Sequence, residues 1–444
     1  MLKKIQICSL AGALVFLLSV PSLQAQQVLT LQELIERSLE YNYQLRIVRN
    51  QQQMAENMNT AGNAGMLPQV NASGQYTRQI LDVETNLFTG ETRSGSNALS
   101  TSFNAFVEAD WRIFDGFSMF ARRDRLDLLA RLGELDTRYF VEQTVADIAR
   151  SYFQMEMEEQ LLDAFKQSLS FSAFRLQLED QKRSLGTGNA LRYYQAVVDF
   201  NSDSSMVAHQ QMMIRDLQIR LNRIVNLDPE TRFHTQPADL PRVDKFELQD
   251  QLLDKALNAN KDMARAQLEE LLAETSLRME RGQLYPQVNV FAGYGFNRQT
   301  SELGLMQSSR NFGPSVGVSL RFNLYDGGRQ TTRLRNVALE QQSSSLRRDD
   351  ISALLRSELA RMANIYQSYA HQYELLLASR QSVERTLEIA SRQLESGTIS
   401  GFDFRQTQLT ALNLENQILR LKFAMKTIEL DVFRITGDLV EVLL

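Results

Sequence analysis

The sequence predicts an α+β fold of one kind. A tandem-repeat, long α-helical barrel runs on into a trimeric transmembrane β-barrel, with four strands from each chain. Three observations predict it. The segment LPQVN, Leu67 to Asn71, returns as YPQVN, Tyr285 to Asn289, at an offset of 218. Each copy begins a pair of segments that alternate apolar with polar residues, the two-residue period of a strand. Each pair then leads into a proline-free helical stretch far longer than a globular helix.

The first 25 residues read as a secretory signal peptide. Lys3 and Lys4 precede an apolar core from Ile5 to Val20, and Pro21 to Ala25 make a cleavage region. Cys8, the single cysteine, lies inside that core, so the mature chain has no disulfide to form. Losing Lys3 and Lys4 takes the net charge from −5 to −7, which excludes a nucleic-acid binder. No later stretch has the eighteen or so apolar residues of a spanning helix. Export without such a helix leaves a periplasmic protein, a secreted one or an outer-membrane barrel.

Residues 26–226 form the first repeat. A helix is expected from Thr30 to about Ala64, on the spacing of Leu31, Leu34, Ile35, Leu39, Leu45 and Val48. Pro68 ends it and the first strand follows. Asp82 to Ser100 is polar and reads as a long loop. A second strand, Thr101 to Phe114, turns Phe103, Ala105, Val107, Ala109, Trp111 and Ile113 one way. Ser102, Asn104, Glu108, Asp110 and Arg112 turn the other, interrupted only by Phe106. From Asp115-Gly116 to about Arg183 the spacing is helical throughout. Some 65 residues at 1.5 Å each would span roughly 100 Å. After a break at Gly186 to Asn189, a return helix runs from Ala190 to about Val225.

Pro229, Pro237 and Pro241 mark a linker at 227–246, and residues 247–444 repeat the first half. Leu252, Leu253, Leu257 and Asn260 match Leu34, Ile35, Leu39 and Asn42 at an offset of 218. Beyond a second expected loop, Arg298 to Asn311, the offset is 211. There Tyr325-Asp326-Gly327 falls on Phe114-Asp115-Gly116, and Gly397-Thr398 on Gly186-Thr187. Ala411, Leu414, Ile418, Leu421, Met425, Ile428, Val432 and Ile435 step by three and four, a coiled-coil seam. Val383, Leu387, Ala390 and Leu394 keep the same rhythm.

Four strands cannot close a barrel, and open edges in lipid would leave backbone groups unpaired. Closure therefore takes several chains: two supply eight strands, three supply twelve. Entry and return helices together match one long helix, so each chain also offers four staves. Twelve staves continuing twelve strands make a trimer. Glu108, Asp110, Arg112 and Arg321 would then face the barrel lumen.

The duplicated layout, the paired PQVN entries, the FDGF and YDGG strand exits and the turns SLGTGNALRYY and SGTISGFDF resemble the TolC-like outer-membrane efflux proteins. The resemblance covers the chain from Thr30 to its end. It implies a homotrimer set in outer-membrane lipid, with a periplasmic helical tunnel. It also implies docking on a periplasmic adaptor (membrane fusion) protein, and through it on an inner-membrane transporter. The docking tips would comprise Leu185, Gly186, Thr187, Leu191, Gly397, Thr398, Ile399 and Phe402, with the four apolar residues exposed. Arg192 and Asp403, equivalent at the offset of 211, would alternate around the tunnel mouth as a weak electrostatic gate. A local reading competes there: Ser400 to Asp403 also fits a helix cap.

No enzyme is expected. His209, His234 and His371 are scattered, no phosphate loop or nucleophile elbow occurs, and no metal or cofactor is implied. Glu156, Glu158 and Glu159 read as a solvated helix face, or failing that as an acidic patch on the tunnel wall. A soluble periplasmic coiled-coil scaffold or adaptor is the alternative class, and the amphipathic strands oppose it. A duct for a secreted protein is a further alternative, which the duct sequence does not separate from small-molecule efflux.

Overall fold

A computed structural model describes residues 27–238, 249–303 and 306–444. The expected leader and residues 239–246 of the linker lie outside them.

The first half begins with a short strand β1 (Gln27–Leu29) and two entry helices, α1 (Leu31–Tyr41) and α2 (Tyr43–Met58). Strands β2 (Gln69–Asn86) and β3 (Thr92–Phe114) follow, then the long α3 (Ser118–Ser184) and the return helix α4 (Ala190–Ile224). After β4 (Phe233–Thr235) the second half supplies α5 (Gln249–Ala259) and α6 (Lys261–Gly282). Strands β5 (Gln287–Ser301) and β6 (Ser308–Arg321) come next. Helices α7 (Arg329–Glu395), α8 (Gly401–Thr436) and α9 (Leu439–Leu443) complete the chain. The two long helices are 67 residues each, as the duplication requires, and at 1.5 Å per residue each is about 100 Å long.

The entry helix expected to Ala64 is two helices, and the second stops at Met58. Asn42 breaks it in extended conformation. Its Oδ1 accepts from the backbone N–H of Gln44 and Leu45, starting α2, while its Nδ2 donates to the carbonyl of Ile224 at 2.8 Å. One side chain thus caps one helix and satisfies the last turn of another. Asn260 does the same in the second half, donating to Ile435 at 3.1 Å. Entry and return helices therefore meet end to end, together as long as their long neighbour.

The strands form one antiparallel sheet in the order β2-β3-β5-β6. Both expected loops are largely strand. Gln79 to Ser100 and Asn86 to Thr92 are paired positions, so only residues 87–91 turn. In the second hairpin the ladder continues to Thr300 and Ser308. The alternation fades there because both faces of the projecting hairpins meet water, so no apolar period marks them.

Beside this sheet the helices lie in fixed sequence. Nearer the strands the neighbours run α2, α3, α6, α7, and nearer the tips α4, α3, α8, α7. At every level one chain is an open arc of four elements. The largest apolar core fills the mid-height region, where Leu34, Ile35, Ile148, Tyr152, Leu221 and Leu439 are fully buried. There β1 pairs in parallel with β4, and the Tyr152 hydroxyl donates to the carbonyls of Leu29 and Gln236. Among the described residues no helix is long and apolar enough to cross a membrane.

Glu156, Glu158 and Glu159 are neither a solvated face nor a wall patch. They pack into this mid-height region and are paired. Glu156 meets the ammonium of Lys426 at 3.3 Å, Glu158 accepts from Gln210 at 2.5 Å, and Glu159 holds His234 at 2.8 Å and the backbone N–H of Thr235. Three acids within one turn bind three different neighbouring segments, which spacing on a single helix does not reveal.

Candidate functional site

Both tip turns end their long helix in the same way. Gly186 and Gly397 sit at φ +75°, a conformation costly for residues with a Cβ. Gly186 N–H donates to Arg183 at 3.1 Å and Thr187 N–H to Lys182 at 3.0 Å. Gly397 donates to Leu394 at 3.1 Å and Thr398 to Gln393 at 2.9 Å. This paired bonding closes the last turn and consumes its free carbonyls. Each threonine hydroxyl adds a bond to the same carbonyl its own N–H reaches. The Gly-Thr pairs are thus occupied by the turn itself.

The exposed apolar groups are Leu185 (79%), Leu191 (64%) and Phe402 (75%). Ile399, expected beside them, is half-buried against Leu394, Ala390 and Phe404, so it is part of the tip's own core. Leu191, Tyr194, Val198 and Phe402 line a groove of about 430 Å³ between the starts of α4 and α8. Arg192 is exposed at its edge and has no ion pair among the described residues. Asp403 is exposed too, but engaged. Ser400 Oγ donates to its carboxylate at 2.6 Å and accepts from its backbone N–H at 3.1 Å, so the cap expected as the competing reading is present.

Behind the groove lies an ionic cluster that sequence reasoning missed. Arg405 of α8 holds Asp203 of α4 through both terminal nitrogens, each at 2.7 Å. Asp203 is 1% exposed and also accepts from Ser168 and Ser172 of α3. Gln408 donates to the Ser168 carbonyl at 2.7 Å. Arg175 of α3 pairs with Asp199 and donates to the Gly401 carbonyl at 2.9 Å. Burial works to raise the Asp203 carboxyl, but the bonds from Arg405, Ser172 and Ser168 hold it below the usual carboxylate range. The available signal was on α3. Ser168, Ser172, Arg175 and Glu179 continue the core spacing of Met157 and Leu161 with polar side chains.

At the opposite end, strand register sorts the sheet into two faces. Directly paired residues share a face, so Val70, Ala109 and Ala292 stand together, as do Val290, Trp111 and Val318. Glu108, Asp110, Arg112 and Arg321 share the other face with Asn71, Asn289 and Ser319. Phe106, the one exception in the alternation of β3, covers Gly293 and Gly295. A Cβ added at Gly293 would sit 2.8 Å from its ring. The aromatic ring fills space that the two glycines leave open.

A sheet with one face apolar over the rows from Val288 to Phe296, joined to an arc of helices about 100 Å long, is the layout of a membrane duct. The sequence pattern of the family described as "Outer membrane efflux protein" matches residues 34–226 and 252–438. The chain belongs to that family. Its two matched stretches are the two halves of the duplication, and membership makes the protein an outer-membrane exit duct for efflux. The chain is 21% identical over 422 residues to the cation efflux system protein CusC of Escherichia coli O157:H7. That match covers 91% of this chain and 85% of CusC. It is 20% identical over 384 residues to the outer membrane protein TolC of Vibrio cholerae serotype O1, covering 84% of this chain and 81% of that protein. Its fold is similar to that of the Campylobacter jejuni CmeC outer membrane channel. There the TM-score is 0.76 at 15% identity, covering 92% of this chain and 86% of that one. The outer membrane protein VceC of Vibrio cholerae has a TM-score of 0.72 at 15% identity, covering 92% and 96%.

Proposed function

We propose that three copies close into a continuous tube that carries substrates from a periplasmic adaptor, served by an inner-membrane pump, to the exterior. The observation that carries this reading is the open arc. β2 and β6 have unpaired edges, and the terminal helices expose apolar side chains: Tyr43, Ile47 and Met54 on α2, Leu339, Leu346 and Leu354 on α7. An edge strand left open in lipid is prohibitive, and joining β6 and α7 of one copy to β2, α2 and α4 of the next removes it. The lumen of the barrel would be lined by Glu108, Asp110, Arg112 and Arg321.

At the far end, Leu185, Leu191 and Phe402 supply the apolar contacts for the adaptor. Arg192 and Asp403 would alternate around the mouth as a weak gate. Cross-linking of detergent-extracted membranes tests the assembly: ladders should stop at three chains. A monodisperse monomer in the soluble periplasmic fraction would overturn it.

A further inference from the structure

The apolar face of the sheet ends in a row of charge. Register places Tyr76, Phe103, Arg298 and Arg310 side by side across all four strands on that face. The row below it on β5 and β6 is Phe296 and Phe312, also directly opposed. Below that the face is apolar as far as Val288 and Leu320. From Val288 to Phe296 this is on the order of 20 Å at usual strand rise and barrel tilt, close to the height of a hydrocarbon band. The arginines therefore stand at the membrane surface on the hairpin side, opposite the helices, which is the outer leaflet.

Their placement is unfavourable unless something else is present. Arg298 and Arg310 are opposed cross-strand neighbours of like charge, an arrangement that destabilises a sheet. Both are exposed, and neither has an acidic partner among the described residues. The Arg310 guanidinium carbon lies 5.3 Å from the centre of the Phe312 ring and 5.9 Å from that of Phe296, within cation–π range of both. Arg78, likewise exposed, is on the same face one step further out, paired with Thr101. Three guanidiniums thus fringe an aromatic belt with no ion-pair partner among the described residues.

We propose that Arg298 and Arg310, assisted by Arg78, form a binding site for the phosphate of an anionic outer-leaflet glycolipid, whose acyl chains lie on the apolar face below. The planar guanidinium forks match phosphate oxygens bidentately, and one shared phosphate converts the repulsion between the two arginines into attraction to a common partner. Basic clusters beside a membrane-facing surface read lipid headgroups in this way. The site rests on the barrel facing lipid and not on the tip or gate.

The test uses the full chain extracted in dodecyl maltoside, with diphosphoryl lipid A, its dephosphorylated counterpart and inorganic phosphate as probes in native mass spectrometry and thermal melting. The wild type should prefer the diphosphoryl lipid by on the order of tenfold and melt higher only in its presence. Arg298→Gln with Arg310→Gln should bind both lipids alike. Without lipid it should melt at or above the wild type, because the opposed charges are gone. Retained phosphate preference in the double variant overturns the site. So does a lower melting point without lipid, which would make the arginines structural. An equal upward shift from inorganic phosphate would reassign it as a free-anion site. None of these failures touches the duct itself, which the cross-linking ladder tests separately.

Discussion

Arg405 of α8 straddles Asp203 of α4 with two 2.7 Å bonds, and the pair is closed in by two serines of α3. Three helices are therefore joined at one buried charge pair just above the tip. Asp203→Ala takes away the closest partner of the largely buried Arg405 and leaves it only Asp199 at 3.7 Å, so it should loosen this junction by about 1–3 kcal/mol. Amide exchange along residues 165–183 and 401–412 should speed accordingly, while the strands keep their protection. Equal exchange in variant and wild type would mean the pair contributes nothing. The pH dependence follows from the depressed carboxyl. Its stabilisation is fully present above the ordinary value of 3.8 and is lost as pH falls through the lower folded value. The junction should stay intact at pH 5 and open only well below pH 4.

The tip separates two kinds of apolar residue. Leu185 and Phe402 are exposed, whereas Ile399 packs against the cluster of Ala390, Leu394 and Phe404. Leu185→Glu with Phe402→Glu should abolish efflux of a pump substrate while leaving cross-linked trimer at wild-type level. Ile399→Glu should instead destabilise the tip by roughly 1–3 kcal/mol through loss of the isoleucine's apolar packing, visible as faster exchange near Gly397. Wild-type efflux in the first variant would reject docking at these residues.

For the gate, Arg192→Glu would place six acids around the mouth and should raise single-channel conductance in planar bilayers. Exposed pairs contribute only ~0.2–1 kcal/mol each, so the closed bias is weak. The increase should shrink at high salt, where the repulsion is screened. Because Ser400 already caps α8 and binds the Asp403 carboxylate, Ser400→Ala should cost the helix start about 1 kcal/mol without changing conductance. Conductance like wild type for Arg192→Glu at low salt would leave Asp403 a cap alone.

What the sequence made legible was whatever repeats or alternates. The offset of 218 carries Asn42 onto Asn260, and both make the same junction with a return helix. The two-residue period located the sheet and sorted Glu108, Asp110 and Arg112 onto one face. It failed beyond Leu81 and Asn297, where both faces of the hairpins are wet and polar side chains such as Asn86, Thr92, Asp82 and Glu302 bond across the ladder. It also failed wherever a polar side chain is buried against a distant segment. Glu156 finds Lys426, and Asp203 finds Arg405, across 270 and 202 residues. On its own helix such a residue looks like one on a solvated face.

The last prediction concerns Glu142, on α3 where α6 begins and α8 ends. It is nearly inaccessible, and burial pushes its carboxyl from 4.5 to about 6, against the pull of Lys261 and Arg434 and with Asp262 and Asp438 adding to the rise. A carboxyl raised in the folded state binds its proton more tightly there than when unfolded. Stability contributed by that proton is therefore present at low pH and is lost as pH climbs from about 4.5 through 6. At pH 7.5 the buried charge costs on the order of 1 kcal/mol. Glu142→Gln carries a permanent neutral group of the same shape. It should slow amide exchange around residues 138–146 and 258–264 at pH 7.5, after correction for intrinsic rates. At pH 4.5, where the wild-type carboxyl is already protonated, the two proteins should exchange alike. A variant that keeps the wild-type pH slope between 4.5 and 7.5 would show that Glu142 is charged at low cost, through solvent or through Lys261.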